Sequence, residues 1–364
     1  MRIAVDYRLV TMNPKSGMGV YVKEIVSTLR LIDKANVYKT FTFDFRSIKK
    51  PLISKLADLV KEHYFVNVML PFLLRKKYDL LYSPNPPSPI FCPVPVVLTI
   101  PDLSFLHDTQ MNFFVKLYLF FVYYLSVRRA QEITTFSENS KRDIVKFLKV
   151  NSEKVSIITP AVNKNFYKKL SQKKLKKVME KFGINAKYIL SVPGSFIERK
   201  NAKDLLLAYN LLPARFKKNY LLVFVGNASG PNFERFKQLV QKLKLGKRVI
   251  FTGYISEADL VALYQGAVIS VFTSLYEGFG LPPLESMAAG TPVIVYKNSS
   301  LPEVVGNAGV LVENRDELTK SILNLLKNKK RRIRFARLGR EKAKEFSWEK
   351  SAKKMRDLFS NLAS

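Results

Sequence analysis

The feature that most constrains this chain is a recurrence: short, β-rich apolar runs return repeatedly, with helix-patterned stretches between them. In the first half the runs are Ile3–Val5, Phe41–Phe43, Leu80–Tyr82, Val96–Thr99, Ile133–Phe136 and Val155–Ile158. The series restarts with Tyr188–Val192, Leu221–Val225, Val249–Thr252, Val268–Thr273, Val293–Tyr296 and Val310–Val312. Strands alternating with helices build βαβ units, and these build parallel sheets covered on both faces. Twelve such runs in 364 residues predict an α/β protein of two doubly wound, Rossmann-like domains in tandem. The boundary is expected in the Lys-rich segment from Lys164 to Lys181, which carries no strand pattern. The domains are then 1–180 and 181–345. Ligands of doubly wound sheets bind outside the carboxyl ends of the strands, so two domains facing a central cleft would place loops from both around one ligand.

Composition removes several alternatives. Apolar residues make up 47% of the chain, enough for packed cores, so the net charge of +32 is not that of a disordered basic tail. The single cysteine, Cys92, excludes an internal disulfide and points to a reducing compartment. The opening Met1-Arg2-Ile3-Ala4-Val5-Asp6 lacks the apolar core of a signal peptide and reads as a first buried strand. No stretch reaches the roughly 18 apolar residues that a spanning helix needs. A cytoplasmic location is expected. So large a positive charge would suit a nucleic-acid binder. It divides evenly, however, at +16 on each side of residue 180, with no recognition motif. No specific nucleic-acid partner is expected. Against this basic background, residues 251–314 carry −5 and residues 315–364 carry +10.

The acidic stretch contains the most informative segment, Ser274-Leu275-Tyr276-Glu277-Gly278-Phe279-Gly280-Leu281-Pro282-Pro283-Leu284-Glu285, running on to Gly290-Thr291-Pro292. A strand ends near Thr273, Gly-x-Gly lets backbone approach a ligand, and two prolines suit the first turn of a helix that Gly290 stops. The N-terminus of that helix, with its dipole and unpaired N–H groups, favours an anion such as a diphosphate. Glu277 on the loop and Glu285 inside the helix could accept from the hydroxyls of one ligand; a surface acid followed by a capping acid would give the same spacing. Upstream, Gly194-Ser195-Phe196-Ile197-Glu198-Arg199-Lys200-Asn201 follows the first strand of the second domain. Arg199 and Lys200 there suit phosphate oxygens, although adjacent basic residues also occur as solvated surface. Gly17-Met18-Gly19 precedes the helical pattern Val20–Leu31 and would let a loop approach phosphate. The third glycine of a dinucleotide fingerprint is missing, which disfavours a nicotinamide cofactor. Two histidines, one cysteine and no Asp-x-Asp triplet leave little for a metal, so none is expected. Two glutamates also invite a glycosidase reading, but a loop acid and a helix acid are poorly placed to flank one bond.

The run Met111–Leu125 is apolar almost all round, with Arg128 and Arg129 just beyond. It reads either as a buried helix or as a face that dips into a lipid surface. The cluster Lys327-Asn328-Lys329-Lys330-Arg331-Arg332-Ile333-Arg334 reads as a solvated helix face or as a contact with anionic lipid. Peripheral attachment at the inner face of a membrane is the sharper expectation.

These residues resemble the retaining glycosyltransferases of family 4, with the GT-B fold. The likeness is sharpest in the Glu-x7-Glu motif from Glu277 to Glu285 within SLYEGFGLPPLESMAAGTPVI, continued by Ser300-Leu301-Pro302-Glu303-Val304-Val305-Gly306. GSFIERKN, TGYISEADLVALYQGA, Ser137-Glu138-Asn139-Ser140 and Phe346-Ser347-Trp348 add to it. The resemblance implies a nucleotide-sugar donor, GDP- or UDP-linked, on the second domain and a glycan or lipid-linked acceptor on the first, with no further cofactor. It implies that Glu277 contacts the donor sugar, that Glu285 accepts from the ribose hydroxyls and that the N–H groups of Gly278, Phe279, Gly280 and Leu281 face sugar and phosphates. Arg199 and Lys200 would neutralise the leaving diphosphate; Ser195, Gly17 and Gly19 are further donor-binding candidates from their glycine-rich segments. It further implies retention of anomeric configuration, a hexose such as mannose or glucose, and a C-terminal helix, about 346–364, that returns to the first domain. Relatives often carry a His-Asp pair where this chain has Pro101-Asp102, and Arg where Val20 stands. Asp102 is retained as a catalytic candidate, while Pro101 leaves open a weakened family member that serves as a partner subunit.

Overall fold

Among the described residues twelve strands form, all in parallel ladders. In the computed structural model, which describes residues 1–14, 16–42, 51–75 and 77–362, they are β1 Arg2–Asp6, β2 Val37–Phe41, β3 Leu80–Ser83, β4 Val96–Thr99, β5 Glu132–Thr135 and β6 Val155–Ile157. The series continues with β7 Lys187–Gly194, β8 Tyr220–Gly226, β9 Val249–Phe251, β10 Ile269–Phe272, β11 Val293–Tyr296 and β12 Val310–Val312. One sheet has the order β2-β1-β3-β4-β5-β6, the other β12-β11-β10-β7-β8-β9. The chain is thus α/β, with two doubly wound sheets, as the alternation of apolar runs predicts.

Eleven of the predicted strands lie where the apolar runs are. The second does not: it is Val37–Phe41, whereas Phe41–Phe43 was expected, and Phe43 lies outside the described residues. The reason is its composition: Lys39 and Thr40 interrupt the strand and only Tyr38 is buried along it, so it carries no continuous apolar run.

The chain divides into two compact units. The first holds residues 1–106, 111–160 and 347–364, and the second 107–110 and 161–346. Residues 161–180, expected with the first domain, cluster with the second because the Lys-rich segment is not a linker. Its polar residues face solvent, but Phe166 and Val178 are buried, Phe166 against the ring of Tyr264. Gln265 closes the contact, donating to the Lys168 carbonyl at 2.7 Å and accepting from Leu170 N at 3.0 Å. In the first unit the helix Trp348–Asn361 packs on the helix Gly17–Ile32, with Trp348 against Tyr21 and buried Phe359 against Tyr38 and Tyr82.

Two local expectations are corrected here. Gly17 and Gly19 are not in a loop but in the first turn of the helix Gly17–Ile32, which Ser16 caps by accepting from Gly19 N at 2.9 Å. Gly19 is required by packing, since a Cβ there would collide with the Asn13 carbonyl. The apolar run after Met111 forms the helix Phe113–Arg129, which is covered on one face only: Leu119, Phe120, Tyr123 and Tyr124 pack on the core of the first unit, while Phe113, Phe114 and Phe121 are exposed. Among the described residues, no helix is long and apolar enough to cross a membrane.

Candidate active site

The second sheet fixes where a ligand would go. From β7 the chain runs outward through β8 and β9, and β10, on the opposite side of β7, begins the second run through β11 and β12. The strand order therefore reverses between β7 and β10, and ligands of such sheets sit at this reversal, outside the carboxyl ends. Two loops leave those ends: 195–201 after β7 and 273–280 after β10.

Packing holds both loops in place. Beside Ser195, the ring of Phe196 sits among Phe224, Phe233, Phe236 and Phe251, with centroids 4.8–5.8 Å away. Below it, Gly194 and Gly226 touch backbone to backbone; a Cβ on Gly226 would come within 2.7 Å of Gly194. The two loops are also hydrogen bonded to one another. Leu275 N donates to the Arg199 carbonyl at 2.8 Å, Thr273 Oγ1 to the Asn201 carbonyl at 2.8 Å, and Arg199 Nη1 to the Tyr276 carbonyl at 2.8 Å. From a third segment, Ser300 Oγ lies 2.8 Å from the carbonyls of both Glu277 and Phe279, while Ser299 Oγ accepts from Glu277 N at 2.9 Å.

This scaffold brings three charges together. Lys200 Nζ lies 2.6 Å from Glu277 Oε1 and Arg199 Nη1 lies 3.8 Å from Glu277 Oε2, with all three side chains only 16–18% exposed. Burial alone would raise the Glu277 carboxyl, but Lys200, Arg199 and Ser274 outweigh it and hold the group below its ordinary value. Glu277 is therefore ionised, and the trio carries one surplus positive charge at the strand-order reversal.

After the second loop comes the helix Leu281–Ala289, entered through Gly280 at φ 112° and ended by Gly290 at φ 84°. The sequence reading credits its N-terminus with several free N–H groups, which needs correcting. Pro282 and Pro283 have none, so of the first three helical residues only Leu281 offers a donor. Glu285 lies on the next turn. Its Oε2 is 3.1 Å from the hydroxyl of Tyr264, a fully buried residue that also reaches the Pro282 carbonyl at 3.1 Å. Burial pushes the Glu285 carboxyl up to about 8, against the Tyr264 hydrogen bond and with a smaller contribution from Glu257.

Of the residues expected in the site, Arg199, Lys200 and Glu277 are in direct contact, with Gly278–Leu281 continuing their loop, Ser195 at its neighbour's start and Glu285 on the following helix. Phe279 offers only backbone, because its ring is buried edge-on against Phe346. Asp102 belongs to the first unit, where its Oδ1 accepts from Ser104 N at 2.8 Å. Gly17 and Gly19 belong there too.

Sequence reasoning missed the serines that hold the loop, Tyr264, and the segment 107–110. His107 stacks on Tyr276 with centroids 4.1 Å apart, and Thr109 Oγ1 donates to Glu198 Oε2 at 2.6 Å, so this short segment braces both loops. Ser300 and Tyr264 carried a signal, through their places in the quoted segments. Among the described residues, no group of three His, Cys, Asp or Glu side chains is arranged to hold a metal ion.

Residues 172–342 match the glycosyl transferases of group 1. The chain is 34% identical over 227 residues to O-antigen chain mannosyltransferase B of Escherichia coli, covering 62% of this chain and 59% of that one. It is 35% identical over 181 residues to the serotype-specific mannosyltransferase WbdA of Escherichia coli, covering 49% of this chain and 22% of that one. The chain thus spans less than two thirds of the length of these relatives. In fold it is similar to sucrose-phosphate synthase from Thermosynechococcus elongatus, with a TM-score of 0.80 at 20% identity, covering 100% of this chain and 99% of that one.

Proposed function

Because residues 172–342 match the group 1 glycosyl transferases, we propose that this chain moves a hexose of the mannose or glucose type from a nucleotide donor, GDP- or UDP-linked, to a glycan or lipid-linked acceptor in cell-surface polysaccharide synthesis. The observation that carries this reading is the Lys200–Glu277–Arg199 cluster at the reversal of strand order. The mannosyltransferase relatives support the sugar and the polysaccharide setting.

On this reading the donor diphosphate lies beside Arg199 and Lys200, with the N–H groups of Gly278, Phe279, Gly280 and Leu281 toward sugar and phosphates. Lys200 exchanges part of its contact with Glu277 for phosphate, which frees the carboxylate to accept from sugar hydroxyls. Glu285 accepts from the ribose. As the bond between the anomeric carbon and the diphosphate breaks, negative charge grows on the leaving group. Fixed cations and N–H groups stabilise it there, and such stabilisation is usually the largest catalytic contribution. Configuration is retained: the acceptor hydroxyl attacks from the face the diphosphate leaves and passes its proton to a departing phosphate oxygen. The scheme uses no metal and no further cofactor. Peripheral attachment at the inner face of a membrane belongs to the same reading, supported by the exposed face of the helix Phe113–Arg129 and the exposed basic cluster Lys327–Arg334.

Thermal shift against UDP, GDP and ADP identifies the base, because a ligand that binds only the native state raises stability by mass action. Transfer is then assayed with the matching sugars. Lys200→Ala should slow transfer by about 10²–10³-fold while the protein stays folded; wild-type rates in that variant would sink the reading. Nucleotide binding without transfer from any donor would favour a partner-subunit role, which Pro101 suggests.

A further inference from the structure

Beside the helix Phe113–Arg129 the first unit carries a groove of about 740 Å³, within the range that holds one small molecule. One wall is the stretch from the π-turn Phe65–Met69 to the short helix Leu70–Leu74; the other is the loop 90–93. The groove is built by specific bonds. Asn67 Oδ1 accepts from Ile90 N at 3.0 Å while its Nδ2 donates to the His63 carbonyl at 3.1 Å, which ties the loop to the helix. From the other side, Arg129 Nη2 donates to the Cys92 carbonyl at 2.6 Å.

Its chemistry is two-sided. Phe72 is 70% exposed and Phe91 82%, values that are unusual for rings held on so ordered a frame. Arg75 and Arg129 also line the groove, and among the described residues no carboxylate does. Arg129 ends a helix whose Phe113, Phe114, Leu117, Tyr118, Phe121 and Leu125 are exposed at spacings that keep them on one stripe. An apolar stripe and groove, edged by guanidinium groups in a chain of net charge +32, complement a surface that is apolar within and anionic at its head groups.

We propose that this groove binds one anionic phospholipid of the bilayer, its phosphate between Arg75 and Arg129 and its acyl chain along Val68, Phe72 and Phe91. The assignment rests on the peripheral-membrane reading above and adds to it a discrete lipid site. Arg129 uses one nitrogen on the loop and keeps further donors for phosphate, and the exposed Arg75 guanidinium meets it from the facing wall.

Cys92, the only cysteine, lines the groove and reports on it without any change to the chain. The test follows its alkylation by a maleimide while dihexanoyl phosphatidylglycerol is added below its micelle concentration. Dihexanoyl phosphatidylcholine and inorganic phosphate serve as parallel probes. Phosphatidylglycerol should slow alkylation at least fivefold, the other two should not, and both Arg75→Ala and Phe91→Ser should lose the protection. Equal protection by phosphate would reduce the groove to an anion site, and equal protection by phosphatidylcholine to an apolar surface. Binding to phosphatidylglycerol vesicles without protection by the monomeric lipid would keep membrane attachment but overturn the groove. Protection that appears only with self-association, seen by sedimentation, would assign the face to a second copy of the chain. Nucleotide binding and transfer are measured separately and stay untouched by all of these outcomes.

Discussion

The Tyr264 hydroxyl stands between Glu285 Oε2 and the Pro282 carbonyl, 3.1 Å from each, with a single proton to give. When Glu285 is ionised, its carboxylate competes with Pro282 for that proton. When Glu285 is neutral it donates to Tyr264, and Tyr264 donates to Pro282. The first turn of the helix and the charge of Glu285 are therefore coupled through one phenol.

With the Glu285 carboxyl near 8, the proposed acceptor of ribose hydroxyls gains strength as pH rises through that value. The KM for donor should accordingly fall between about pH 7 and pH 9. In Tyr264→Phe the hydrogen bond that favours the ionised form is gone, so the midpoint should move to higher pH. A profile identical to wild type would show that Tyr264 supports the helix only.

The same group makes a separate prediction for stability. A carboxyl whose folded value lies above its unfolded value binds its proton more tightly when folded. Its contribution is then fully present below the unfolded value near 4.5 and is lost as pH rises through about 8. Glu285→Gln should leave stability at pH 5 nearly unchanged and raise it above pH 8 by on the order of 2 kcal/mol. Denaturant unfolding at the two pH values checks this, and an equal effect at both would show that burial does not hold the proton.

Lys200→Ala removes the nearest cation from Glu277 and, on the proposed function, one of two from the leaving group. A fixed charge of this kind typically carries about 10²–10³ in kcat, and a loss of that size is expected, with donor KM less affected. Lys200→Arg should not restore the rate, because a planar fork cannot occupy the place of a compact ammonium 2.6 Å from the carboxylate. Steady-state kinetics at saturating acceptor distinguishes the two variants.

How much was readable in advance follows from how local each feature is. Eleven strands announced themselves as short apolar runs, whereas Val37–Phe41, interrupted by Lys39 and Thr40, did not. Glu277, Glu285, Arg199 and Lys200 were legible because loop, prolines and charges lie within short segments. The partners of Glu285 and Tyr276 were not: Tyr264 is 21 residues from Glu285, and His107 is joined to Tyr276 across 169 positions of chain. The unit boundary failed for a related reason. Phe166 and Val178 are isolated apolar residues in a Lys-rich stretch, and only their tertiary neighbours reveal which side they serve.

Ser300 is fully buried and bonded to two loop carbonyls, those of Glu277 and Phe279. Ser300→Ala leaves both without this donor, which typically costs about 1–3 kcal/mol. The loss falls on the segment carrying Glu277, so donor KM should rise roughly tenfold, the equivalent of 1.4 kcal/mol. Ser300→Thr, which keeps the hydroxyl, should recover donor binding better than Ser300→Ala. Calorimetric titration with the preferred nucleotide measures both.

The first unit holds a buried ion cluster that tests its fold independently of chemistry. Arg8, which opens the short helix Arg8–Met12 after β1, donates through Nε and Nη2 to Asp6 at 2.7–3.0 Å, through Nη1 to Glu62 at 2.7 Å and through Nη2 to the Pro87 carbonyl at 3.1 Å. Arg8 and Asp6 are both more than nine-tenths buried. Arg8→Met therefore leaves the Asp6 charge buried without its cation, and breaking such a pair typically costs about 3–5 kcal/mol. The double variant Arg8→Met, Asp6→Leu removes both charges and should recover most of that loss, because an apolar pair of similar volume is often as stable as the ion pair it replaces. Denaturant unfolding of the wild type, the single variant and the double variant decides the point. A double variant no more stable than Arg8→Met would show that Arg8 acts through Glu62 and Pro87 instead.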